Sequence, residues 1–260
     1  MGRELNLAWR RAFRAKVQAE LLKIQLSDVE LQERLKEKRS ATLIFAGDVM
    51  LSRNVAKYIE EKSDPRYPFS KIADYLRSAD LVFGNLEGPI SARGINQGRE
   101  YSFRADPKVA EGLVFAGFDI LSLANNHAWD WGRDALEDTI DILRANDISP
   151  VGAGRNFKEA NAPVVKNVGE SKIAFFAFTD LYLESLEAGG FSSGISSFYF
   201  ERIRKDIREI KNSGTADIVV ISFHWGEEYK TAVNGTQRNT AHALIDAGSD
   251  LVVGHHPHVI

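Results

Sequence analysis

The sequence predicts an α/β fold, and three observations carry that expectation. From Ala41 onward, short apolar runs alternate with stretches of helical periodicity, the order that builds a mostly parallel or mixed sheet with helices outside it. Runs 163–167 and 171–178 are separated only by Val168-Gly169-Glu170, a hairpin signal, so part of the sheet should be antiparallel. Five apolar runs also stop at a residue type that binds metals. Buried strands that deliver polar side chains to the carboxyl edge of a sheet read this way.

Taken in chain order, residues 1–40 stand apart. Trp9, Phe13, Val17 and Leu21 recur at every fourth position beside Arg10, Arg11, Arg14 and Lys16, which predicts a basic amphipathic helix over 8–24. Ser27 and Glu30 have the spacing of a capping box opening a second helix through Leu31 and Leu35. A helical arm is the expected outcome, with membrane-surface or partner-helix contact as the other use of such a face. The domain that follows, 41–260, has expected strands near 41–47, 80–84, 118–124, 149–152, 163–167, 171–178, 217–223 and 249–253. Helices are expected near 66–78, 106–116, 132–146, 198–212 and 236–247, and the Gly- and Ser-rich segment 180–197 reads as a surface loop overhanging the strand ends. The last strand-end loop has no element after it, because the chain stops at Ile260, so a truncated piece of a longer protein is expected.

Composition narrows the function classes. With 260 residues, 44% hydrophobic and 27% charged, the chain has the make-up of a globular protein long enough for one large core or two small ones, one large α/β domain being the default expectation. A net charge of −3 gives no basic excess for a broad nucleic-acid surface, so nucleic acid is not an expected partner. No cysteine is present, which removes disulfides, thiolate zinc sites and a cysteine nucleophile together. Neither an apolar stretch of about 18 residues nor a Sec-type signal occurs, and no strand opens into a G-x-G-x-x-G turn.

The chemistry is expected at the five run ends. Asp48 follows Ala46-Gly47, where the glycine is expected to permit close backbone approach and Asp48 either binds metal or caps the next helix. Gly84-Asn85-Leu86-Glu87-Gly88-Pro89 holds an amide and a carboxylate two residues apart, on one side of an extended chain, before a forced turn. In Asn125-Asn126-His127-Ala128-Trp129-Asp130-Trp131, Asn126 is a ligand candidate and His127 a general acid. Asp130 could fix the His127 tautomer or cap the following helix, whereas Trp129 and Trp131 read as packing. His224 ends the run 217–223, with Glu227 and Glu228 after it read as solvated loop charges. Gly254-His255-His256-Pro257-His258 is the most specific segment, since proline's rigid φ and the extended bias it imposes on His256 would fix two imidazoles with little ordering entropy. Of the six histidines only His242 lies outside these segments. A mixed set of His, Asp, Glu and Asn suits Zn, Mn or Fe, so one or two divalent transition-metal ions are the expected cofactor.

The order GD, GNLEGP, NNHxxDxG, HWG and GHHPHV over residues 41–260 resembles the bacterial capsule-synthesis CapA family, associated with poly-γ-glutamate production. That family is similar in turn to the calcineurin-like metallophosphoesterases, whose pattern is D-x-H, GDxxD, GNH(D/E), H and GHxH. The resemblance implies a β-sandwich of mixed sheets flanked by helices around two metals. It implies metal ligation by Asp48, Glu87 (with Asn85 beside it), Asn126, His224, His256 and His258, and protonation of the leaving group by His127. His255 would support the ligands without binding. Met50 stands where that family has a histidine, leaving one metal short of an imidazole. Two functions are then expected to compete: a metal-dependent hydrolase acting on a phosphoester or a γ-glutamyl-type amide, and a non-catalytic, metal-containing polyanion-binding component of a capsule synthesis or export complex. An anionic polymer or phosphoester and membrane-bound synthesis partners are the implied associates, on the extracytoplasmic face of a membrane.

Overall fold

The computed structural model describes residues 40–182 and 184–259; the helices expected at 8–24 and beyond Ser27 lie outside the described residues. One four-stranded sheet has the order β1 (Leu43–Val49), β2 (Leu81–Leu86), β3 (Ile120–Ser122) and β4 (Ser149–Val151), all parallel. Behind β4 a short ribbon pairs β5 (Ala153–Gly154) with β8 (Gly194–Ile195). The second four-stranded sheet runs β10 (Leu251–His255), β9 (Ile218–His224), β7 (Ser171–Thr179) and β6 (Val164–Val168). Its first three strands are parallel, and β6 turns back on β7 as the hairpin predicted at 168–170.

Alternation along the strands makes this a sandwich. In β7, Ile173, Phe175 and Ala177 join Leu81, Phe83, Ile120 and Val151 of the first sheet in one buried cluster, while Ala174, Phe176 and Phe178 point to the opposite face. Phe83 and Phe175 stack across the interface with ring centroids 5.8 Å apart. Helices close both outer faces. Helices α1 (Arg53–Lys62), α2 (Ala73–Arg77), α3 (Ala110–Ala116) and α4 (Gly132–Ala145) cover the first sheet. The short α5 (Phe157–Asn161) packs by β5, and α6 (Phe200–Ser213) and α7 (Gly235–Asp246) cover the second sheet. A helix-flanked α/β sandwich is therefore observed, as expected, with the second sheet mixed and the first all parallel.

Several local expectations need correction. The stretch expected as helix 66–78 is a 3-10 turn at Tyr67–Phe69 and then the five-residue α2, with Pro68 in the first turn, where a missing N–H costs nothing. Helix α1 has no counterpart among the expected elements; it buries none of its residues fully and lays only Val55 and Ile59 on the core. Gly47 does not serve close approach, since a Cβ there would meet nothing within 4 Å. Instead it lies in a β-bulge, where Phe45 pairs with Phe83 but Asp48 with Asn85. That extra residue matters. Leu43 and Phe45 face the sandwich interior, and strict alternation would turn Asp48 away from it; the bulge turns Asp48 back beside Asn85.

Candidate metal centre

Parity decides which side chains meet at the carboxyl edge between the sheets. On β2, Leu81 and Phe83 face inward, and so does Asn85; on β9, Val220 and then His224 follow the same rule; on β10, Val253 leads to His255. His224 and His255 are partners in register. The first sheet thus delivers amides and carboxylates, the second delivers imidazoles.

The oxygen-bearing half is a closed hydrogen-bond network. Asn85, fully buried, donates from Nδ2 to Asp48 Oδ1 (2.8 Å), accepts at Oδ1 from Asn125 Nδ2 (3.1 Å), and has Nδ2 3.1 Å from His224 Nδ1. Asn125 also donates to the Leu86 carbonyl (2.8 Å) and accepts from the His127 amide (3.0 Å). On the other side of the ring, His224 Nε2 lies 2.8 Å from Asn126 Oδ1. Two donors of one cation sit roughly 3 Å apart, given metal–ligand bonds of about 2.0–2.2 Å. The remaining Asp48 oxygen accepts from the His256 amide (3.1 Å) and lies 3.1 Å from His258 Nδ1. His258 Nε2 is 3.7 Å from Glu87 Oε1.

Beside this network, His127 Nδ1 is 2.7 Å from Asp130 Oδ2, which also accepts from the Phe103 amide (2.8 Å). A carboxylate at Nδ1 puts the proton there and leaves Nε2 as the exchangeable site. Asp130 does not cap helix α4: the N-cap is Trp131, without a side-chain cap bond. Phe103 lies against the His127 ring at 4.0 Å between centroids, and Arg99 donates to the Asn126 carbonyl (2.8 Å) with its Nε 3.8 Å from Asp130 Oδ1. Nor does Asp48 cap α1, whose N-cap is Ser52. Trp129 packs on the outer core, and Trp131 carries the Arg104 guanidinium 3.5 Å above its ring, as packing residues do.

Three sets of donors among the described residues could hold a cation, each with ligand atoms within 4.8 Å of one another. Glu87, His224 and His256 form one; Asp48, Glu87 and His258 form another; Glu228, His256 and His258 form the third. The first two share Glu87. The donors fit a divalent ion for a further reason. Both ring nitrogens of His255 and Nδ1 of His256 are buried without a hydrogen-bond partner, an arrangement costly to maintain unless something else occupies the space they face. Electrostatics agree. Burial, and then the neighbouring Asp48 carboxylate, push the Glu87 pKa up to about 8. Burial first and the surrounding imidazoles second push His224 down to about 2, and burial lowers His255 and His256 as well. Neutral imidazoles beside a carboxylate that lacks a counter-charge are what a metal ion requires.

The backbone at the histidine loop departs from expectation. His256 has φ +97° and His258 φ +55°, so the residue before Pro257 is in the left-handed region and not in the extended one. Strain of this kind collects where function over-determines geometry. Residues with no clear sequence signal also belong here: Asn125, whose role shows only in its three bonds; Phe103 and Arg99, brought in by the long β2–α3 connection; and Glu228, read as a loop charge but grouped with His256 and His258.

Residues 42–260 match the family described as bacterial capsule synthesis protein PGA_cap. The chain belongs to that family. Among curated relatives it is 33% identical over 243 residues to the capsule biosynthesis protein CapA of Bacillus anthracis, covering 91% of this chain and 59% of that protein. It is 34% identical over 219 residues to the PGA biosynthesis protein CapA of Bacillus subtilis (strain 168), covering 83% and 57%. A probable polyglutamine synthesis accessory protein of Mycobacterium tuberculosis is 28% identical over 87% of this chain and 62% of its own length. The chain thus spans less than two thirds of these relatives. Among solved structures, a 5′-nucleotidase precursor from Thermus thermophilus aligns with TM-score 0.45 and 15% identity over 72% of this chain and 35% of that one, a likeness too remote to carry an argument. No helix among the described residues is long and apolar enough to cross a membrane.

Proposed function

We propose that this PGA_cap-family chain is a metal-dependent hydrolase of capsule or poly-γ-glutamate biosynthesis, acting on a phosphoester or a γ-glutamyl-type amide. The observation that carries this reading is the pair of donor sets sharing Glu87 next to the His127–Asp130 pair. Asp48, Glu87 and His258 would hold one ion, and Glu87, Asn126, His224 and His256 the other; Mn, Zn or Fe suits this mixture of oxygen and imidazole. When bound, the metal supplies Lewis acidity and a water acidified towards neutrality. The chain's own residues do the rest. His127 delivers a proton from Nε2 to the departing oxygen or nitrogen, and Asp130 holds the ring and stabilises the imidazolium before transfer. Phe103 shields one face of that ring from water. Names of the relatives support an anionic polymer as the material handled; synthesis partners on the outer face of a membrane, and residues 1–40 as an arm to the 41–260 domain, are part of the same proposal.

The test is turnover of generic phosphoesters and of poly-γ-glutamate with added Mn²⁺ or Zn²⁺. Wild type should be active, and His127→Ala should lose about 10²–10⁴-fold in kcat while still binding metal. His256→Ala should lose both. If wild type binds metal and polymer but turns nothing over, the chain is a polyanion-binding component, the reading that Met50 favours by removing an imidazole.

A further inference from the structure

Met50 cannot be a silent substitute for the missing histidine, because its sulfur is engaged. Ser52 donates to Met50 Sδ from its amide (3.2 Å) and from its hydroxyl (3.0 Å). The position served by Asp48, Glu87 and His258 therefore has three protein donors where four are usual for a tightly held ion. An oxygen donor stands next to His258, one of those three. The Glu228 carboxylate lies within 4.8 Å of ring nitrogens of both His256 and His258.

We propose that Glu228 is a metal ligand, supplying to the ion beside Asp48 and His258 the coordination that residue 50 does not. This rests on the two-ion reading above and adds a residue to it. The loop carrying Glu228 is anchored on both sides. Trp225 stacks on Phe223 at 4.2 Å, and its amide donates to the His255 carbonyl (3.3 Å). Beyond Glu228, the Tyr229 amide donates to the Pro257 carbonyl (2.8 Å), tying the β9–α7 loop to the histidine loop itself. Gly226 makes the turn between them with φ +94°, a conformation other residues rarely adopt. A solvated loop charge needs none of this fixing. Glu228 is exposed, and its carboxylate is already within 4.8 Å of the His258 and His256 ring nitrogens, the neighbourhood from which a metal–oxygen bond of roughly 2.0–2.2 Å would be made.

The experiment is calorimetric titration of the metal-stripped full chain with MnCl₂, comparing wild type, Glu228→Gln, Glu227→Gln, and Glu228→Gln combined with Met50→His. Wild type should bind two equivalents. Glu228→Gln should weaken one of them by at least about tenfold, the smallest loss expected even for a residue that only supports a ligand. Glu227→Gln should weaken neither, and Met50→His should restore the affinity that Glu228→Gln loses. Equal affinities for wild type and Glu228→Gln, equal losses for the two glutamate variants, or a loss that Met50→His leaves in place would each overturn the assignment while leaving the metal centre standing. Wild type that takes up no Mn²⁺ would overturn the centre and this assignment together.

Discussion

The two sheets bring unlike halves to the same edge. On the first, Asp48, Asn85 and Asn125 satisfy one another and hold His224 and His127 without any outside partner. On the second, His255 and His256 keep buried ring nitrogens unpaired on a loop with two left-handed residues. One half has its polar groups paired; the other keeps buried nitrogens that no protein group meets. On the proposed reading, the contrast separates what folds the site from what it would hold: the amide network is part of the core, and the histidine loop, with its two positive-φ residues, would be set for the ion.

The sharpest way to break this comparison is at Asn85. Asn85→Ala should destabilise the metal-free protein by several kcal/mol in urea unfolding, at about 1–3 kcal/mol for each buried group left unpaired, since Asp48, His224 and Asn125 all lose a partner. A smaller but still large effect is expected from metal on the other half. Mn²⁺ at about 100 times its Kd should stabilise the fold by about 2.7 kcal/mol, with slowed amide exchange at 254–258 and little change at Asn85 or Asn125.

That binding should depend on pH in a defined direction. Glu87 in the metal-free fold titrates near 8 against 4.5 as its ordinary value, so its stabilising contribution is complete below 4.5 and lost as pH rises through about 8. His224, depressed to about 2 from 6.5, behaves oppositely: its contribution is complete above 6.5 and lost as pH falls below that. Metal must displace the Glu87 proton, so affinity should climb from pH 6 to about 8 and then level, measured by titration in buffers that report proton release. Smallest of all should be His255→Phe, which keeps the ring against Phe83 and removes only unpaired nitrogens; metal-free stability should shift by less than about 1.5 kcal/mol.

Much of this is readable in the chain, for a physical reason. A strand buried on both faces is a continuous apolar run, and its end is where a polar residue first becomes tolerable, so Glu87, Asn126, His224 and the histidine loop stand out at once. What cannot be read depends on pairing between distant strands or on loop paths. The bulge that turns Asp48 inward exists only because β1 and β2 fall out of step by one residue. Asp130 resembles a helix cap locally, and only the approach of Phe103 and His127 shows its real use. Glu228 reads as a solvent charge because its neighbours come much later in the chain and meet it through the β9–β10 pairing.

Anomalous diffraction from crystals of the full chain grown with Mn²⁺ tests the central idea most directly. The account predicts strong peaks on either side of the Glu87 carboxylate, one among His224, His256 and Asn126 and one beside Asp48 and His258. Peaks elsewhere, or none between the ends of β1, β2, β9 and β10 in metal-saturated crystals, would contradict it.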